Sequence, residues 1–151
     1  MLRVGCGRAD ITPEPGLPMV GMPGSPRGEG VRWPLQATVL LFDDGERRAG
    51  IVCLDLIALV SAQVAELRGI VAAQAGVRPA HVMIACSHTH RAPFTETGWG
   101  ATDETVRPYL DFAFARIREA AADAAANLQL AALAVGRQTA PGWALNRRPI
   151  Y

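Results

Sequence analysis

An α/β fold on a mixed sheet is what this sequence predicts, and three patterns carry the prediction. Two apolar runs, Ala37–Phe42 and Arg48–Asp55, flank the turn signal Asp43-Asp44-Gly45 and read as a β-hairpin. A stretch of helical period then separates the second run from another, His81–Cys86, giving a β-α-β unit. Such a unit implies parallel strands joined by a right-handed crossover. A longer helical pattern follows near residues 108–127, so helices pack on the sheet.

The elements follow in order. Arg3–Gly7 is a short strand, and residues to about 35 are mostly loop, because Pro13, Pro15, Gly16, Pro18, Gly21, Pro23, Gly24 and Pro26 deny regular hydrogen bonding. Ile11, Leu17, Met19, Val20 and Met22 give this segment apolar anchors that a disordered tail lacks. After the hairpin, Ser61 is a candidate N-cap, Val64, Leu67, Ile70 and Val71 fall at helical spacing, and Gly76 ends the helix. Pro108 suits the first turn of the second helix, whose buried stripe is Phe114, Ile117, Ala121, Ala124 and Leu128. Ala131, Leu133 and Val135 alternate as a last strand. The stretch between His90 and Thr105 has no period and mixes Gly, Pro, Trp and carboxylates, which suits either a substrate-contacting wall or a plain connection.

Composition narrows the functional classes. At 151 residues, half of them apolar, the chain can bury one real core. A net charge of +1 with interspersed signs gives no block that would attract nucleic acid. No stretch is long enough to span a bilayer, and the first residues lack a secretory signal. The expected location is therefore cytoplasmic as given, or secreted where a leader has been removed. Cys6, Cys53 and Cys86 are odd in number and lack paired metal-site spacing, so they read as buried free thiols.

Ser87-His88-Thr89-His90, directly after a strand, is where chemistry concentrates. Extended chain repeats every two residues, so His-x-His delivers two imidazoles to one side of the backbone. Imidazole is the commonest metal ligand and the side chain best suited to proton transfer near neutral pH. The carboxyl end of a strand is also where open α/β sheets bind ligands. A zinc site needs three or four protein ligands. Asp55, which ends the parallel partner strand, is the best carboxylate candidate, although it could equally hold loop amides. Glu96 and Asp103 are weaker, and His81 begins the strand at its opposite end. No Gly-x-Ser-x-Gly elbow and no third glycine after Gly5 and Gly7 support a serine triad or a dinucleotide site.

Five motifs in order carry a resemblance. Val4-Gly5-Cys6-Gly7-Arg8-Ala9-Asp10-Ile11-Thr12-Pro13, with Gly16-Leu17-Pro18-Met19 and Gly21, comes first, and Pro34-Leu35-Gln36-Ala37 second. Asp43-Asp44-Gly45 leads to Val52-Cys53-Leu54-Asp55-Leu56, then Ser87-His88-Thr89-His90 with Pro93, then Asn146-Arg147-Arg148-Pro149 with Tyr151. Together they resemble the neutral/alkaline (non-lysosomal) ceramidase family along the whole chain. The resemblance implies a zinc-dependent hydrolase of an amide, N-acylsphingosine or another amide or ester. It implies His88 as a zinc ligand, His90 as a catalytic residue beside the metal, and Arg147 as a residue reaching the catalytic centre. Two local departures stand out: Arg91-Ala92, where family members usually have Ser-Gly, puts a long cation in place of a small residue and bears on substrate, and Trp33, where they have Asp, changes the loop entering the sheet. The family's remaining zinc ligands and its active-site serine lie downstream of the region matched. The chain is therefore expected to be an N-terminal, truncated portion of a catalytic domain with part of a site. Its partner is a small-molecule or lipid amide, and self-association through an exposed sheet edge is expected. The alternative is a non-catalytic, degenerate domain with weak or no metal binding. An amidohydrolase-type barrel fits less well, because several strands precede the His-x-His motif.

Overall fold

A computed structural model describes residues 1–98 and 101–143. They form a five-stranded mixed sheet with two helices. The strands are β1 (Arg3–Asp10), β2 (Gln36–Asp43), β3 (Arg48–Leu54), β4 (Val82–Cys86) and β5 (Gln129–Leu130), in the spatial order β4-β3-β2-β1-β5. The helices are α1 (Ser61–Ala75) and α2 (Asp103–Ala126). β3 and β4 pair in parallel around α1, and the other pairs are antiparallel. Hairpin and β-α-β unit stand where the sequence puts them.

The hairpin turn is held by its carboxylates. Asp44 Oδ1 accepts from the amides of Glu46 and Arg47, at 2.9 and 2.7 Å, and Asp43 Oδ1 accepts from Gly45 at 2.8 Å. Arg48 pairs with Asp43 at 2.6 Å and donates to the Ala75 carbonyl at the end of α1. One side chain thus ties the hairpin to the helix end.

Both helices lie on one face of the sheet. The face turned to them is buried at every second position: Ala37, Val39 and Leu41 on β2, Val52 and Leu54 on β3, Val82 on β4. Leu67 and Val71 of α1 and Phe114, Ile117, Ala121 and Ala124 of α2 close over them. β1 offers Gly5 and Gly7 to α2, and a Cβ on Gly7 would lie 2.8 Å from the carbonyl carbon of Ala120. The missing side chains let the helix backbone rest directly on the strand.

The opposite face carries no layer among the described residues. Cys6, Leu40, Ile51 and Met83 form one row across four strands, and Met83 is 53% exposed. Cys6 and Cys53 fall on this face and are exposed, so the expectation of buried thiols is corrected. Alternation told which residues share a face, but not which face would be covered. β4 has β3 on one side and no strand on its other side among the described residues.

Three other boundaries move. β1 runs three residues further, to Asp10. α2 begins at Asp103, five residues before Pro108: Thr102 precedes it, Asp103 and Glu104 stabilise its positive end, and exposed Pro108 loses one backbone bond that solvent replaces. The last strand is Gln129–Leu130, with Ala131 donating to the Leu2 carbonyl; Leu133 and Val135 lie beyond it, exposed. No helix among the described residues is long and apolar enough to cross a membrane.

Candidate functional site

β1, β3 and β4 run in the same direction, so their carboxyl ends share one edge, where Ala9, Ala37, Leu54 and Cys86 align across the strands. The Pro/Gly-rich segment 11–35 folds back over this edge. Ile11 and Leu35 are buried, and Ile11 donates to the Leu35 carbonyl at 2.9 Å. Tyr109 of α2 donates its hydroxyl to the Ile11 carbonyl at 3.1 Å. Burial first, and the charge of Asp10 second, push that phenol above its usual range, so it stays a donor. The segment is an ordered arm. Val20 donates to the Ala92 carbonyl at 3.0 Å, and Met19 bridges to Pro93, which joins the arm to the chain after β4.

His88 and His90 lie where these pieces meet, but strand periodicity does not put them there. β4 ends at Cys86, and His88 has a left-handed backbone, φ 59°. Such a conformation costs a non-glycine residue about 1 kcal/mol or more and recurs at functional sites. It is held by the end of β3 and the loop after it: Ser87 donates to the Leu54 carbonyl and His88 to the Leu56 carbonyl, at 2.9 and 3.0 Å. The bend leaves the two rings 5.4 Å apart, centroid to centroid, and tilted by 59°.

Each ring is oriented by a backbone carbonyl. His88 Nδ1 lies 2.9 Å from the Ile57 carbonyl, and His90 Nδ1 lies 3.1 Å from the Gly21 carbonyl. A carbonyl only accepts, so Nδ1 carries the proton in each ring and Nε2 keeps its lone pair in the neutral form. Both side chains are exposed. A backbone carbonyl on one ring nitrogen is how metal-binding histidines are commonly set. Two imidazoles on one tetrahedral zinc, with bonds of about 2.0–2.1 Å, have centroids about 5 Å apart. The observed centroid separation of 5.4 Å is close to that value. The pair does not complete a site: among the described residues no group of three or more His, Cys, Asp or Glu could hold a metal.

Asp55 takes the plainer of its two expected roles. Its Oδ2 accepts from the Gln36 amide at 3.0 Å and its own amide donates to the Gln36 carbonyl, fixing the start of β2. Glu96 is exposed, and Asp103 lies in the first turn of α2. His81 sits at the far end of β4, with Nδ1 3.3 Å from the Arg48 carbonyl. Arg147 and the rest of the Asn146–Tyr151 motif lie outside the described residues. Beyond His90 the chain is anchored: Ala92, Pro93, Phe94 and Thr95 are buried, and Thr95 donates to the Ala58 carbonyl at 2.8 Å. A cleft of about 870 Å³ opens between the arm and the strand ends, with Thr89 and Arg91 on its wall and neither imidazole among its lining residues. Sequence patterns gave no sign of Ile57 as an orienting residue, since it acts through its backbone. Gly21 was visible only as part of a motif.

Comparison with known proteins defines the class. No family model matches the sequence, and no curated protein does. Solved structures do. A ceramidase described as complexed with C2 is 25% identical, with a TM-score of 0.70, over 85% of this chain and 22% of the other. The crystal structure of neutral ceramidase from Pseudomonas aeruginosa is 25% identical, with a TM-score of 0.66, over the same shares. The chain has a neutral ceramidase-like fold, as its five motifs implied, and it spans about a fifth of the length of the ceramidases it matches.

Proposed function

We propose that this chain carries the two-histidine part of a zinc-dependent, ceramidase-like amide hydrolase. The observation that carries the reading is the pair itself: two imidazoles with Nδ1 tied to backbone carbonyls and rings 5.4 Å apart, at a sheet edge in a ceramidase-like fold. His88 would hold the metal through Nε2, with its remaining ligands coming from outside the described residues. A zinc ion so held supplies Lewis-acid polarisation of a carbonyl and a nucleophilic water at neutral pH. His90, fixed on Gly21, holds and moves the proton of the hydrolytic step at Nε2. Arg147 orients substrate oxygens with a fixed fork of donors. The substrate is an N-acyl amide, N-acylsphingosine or a relative.

The test is release of fatty acid from N-acylsphingosine and simpler N-acyl amides by the zinc-loaded protein. Hydrolysis should be abolished by chelation and restored by zinc. Activity indifferent to chelation would refute the zinc reading. A second reading is favoured by one observation, the absence of a third ligand beside His88 and His90 among the described residues. On that reading the domain is non-catalytic and binds zinc weakly, and zinc lost on dialysis together with no hydrolysis would support it.

A further inference from the structure

The histidine pair leaves the neighbouring cleft without a role, and its lining suggests one. Leu17, Met19, Met22 and Trp33 give it an apolar wall, and Trp33 is 78% exposed. Methionines adapt to irregular chains, so such a wall suits an acyl group. Thr89 and Arg91, each adjacent in sequence to His90, line it as well.

Arg91 differs from the other charges there in its place in the chain. Arg27 and Arg32 stand on the arm, as do Glu14 and Glu29, and Arg27 donates to the Gly16 carbonyl at 2.5 Å. Asp55 is engaged by the Gln36 amide. Arg91, like Arg32, makes no side-chain hydrogen bond among the described residues, but it is the cation carried by the histidine segment itself. Its backbone is fixed on both sides: its amide donates to Thr89 Oγ1 at 3.2 Å, and the Ala92 carbonyl is held by Val20. A long cation on a rigid base beside an apolar wall matches an amphiphile with one negative charge near its polar end.

We propose that the cleft takes N-acyl amides whose polar part bears a carboxylate, acylated amino acids in chemical class, with Arg91 as the residue that selects them. This rests on the amide-hydrolase reading for its chemistry, although the selection itself is a binding property. The experiment is calorimetric titration with N-lauroylglycine and with neutral N-lauroylethanolamine, both below their micellar concentrations. The wild-type protein should bind the carboxylate about tenfold more tightly, as befits one partly exposed charge-assisted pair. Arg91→Ala should weaken N-lauroylglycine about tenfold and leave N-lauroylethanolamine unchanged, while Arg91→Lys keeps part of the preference. No preference in the wild type, no binding of either amide, or a preference that survives Arg91→Ala would each overturn the proposal. Since no turnover is needed, discrimination without hydrolysis would leave the carboxylate site standing and count against the hydrolase. Hydrolysis without discrimination would do the reverse.

Discussion

Gly21→Ala is the substitution that most directly couples the arm to the chemistry. Gly21 has φ +77°, and a Cβ there would lie 2.5 Å from His90 Nδ1. The left-handed backbone costs alanine about 1 kcal/mol. The ring must also swing away, breaking the bond from Nδ1 to the Gly21 carbonyl, which is worth about 1 kcal/mol. Together these lower stability by about 2 kcal/mol, or about 6 °C in melting temperature for a chain of this size. A displaced proton-handling group should cost turnover about 100-fold. Gly24 supplies the control. It lies in the same arm at φ +75°, with nothing within 4 Å of its would-be Cβ. Gly24→Ala should therefore pay the backbone strain alone, about 3 °C, with turnover intact. The assay is a thermal melt and an amide-hydrolysis rate on each variant, repeated in a His90→Ala background, where Gly21→Ala should cost no further activity. Equal losses of activity from the two glycine changes, or additive losses with His90→Ala, would show that the Gly21–His90 contact is not what sets the ring.

Gly7→Ala should destabilise by about 3 kcal/mol, because the Ala120 backbone cannot rotate out of the way, whereas Gly69→Ala, exposed in mid α1 with open space around it, should raise the melting temperature slightly. Similar effects of the two changes would refute the helix-on-glycine contact. The carboxyls of Asp10, Asp43 and Asp44 are held below their usual range, by hydrogen bonds from Thr12, from Arg48, and from the Arg47 and Glu46 amides respectively. Carboxylates lowered on folding stabilise above the unfolded value and lose that contribution as pH falls through the folded value. Melting temperature should thus hold from about pH 7 to 5 and drop below about pH 4, and a rise on acidification would contradict this. The row Leu40, Ile51 and Met83, with the open side of β4, should drive self-association that Ile51→Lys with Met83→Lys reduces; a wild-type monomer in sedimentation would refute it.

The legible parts of this molecule are those set by local period. The hairpin and the β-α-β unit follow from runs of two-residue and helical spacing, and Asp43-Asp44-Gly45 forms its turn through the carboxylates that suggested it. What could not be read depends on contacts distant in sequence. Pro108 looked like a helix start because its cost inside a helix is visible, while the solvent that relieves the lost bond is not. Cys6 and Cys53 looked buried because alternation defines two faces without saying which is covered. At the site, His88 and His90 were legible as residue types at a strand end. Their orientation was not, since it rests on the carbonyls of Ile57 and Gly21, 31 and 69 residues away.

The central claim is that the two imidazoles have different duties around one zinc ion. It is tested by measuring zinc content after dialysis against a weak chelator, alongside the hydrolysis rate, for the wild type, His88→Ala and His90→Ala. His88→Ala should lose both metal and activity. His90→Ala should keep most of its metal and lose turnover by about 100-fold or more. Loss of metal to the same extent in both variants would make both rings ligands, and unchanged hydrolysis in both would contradict the account altogether.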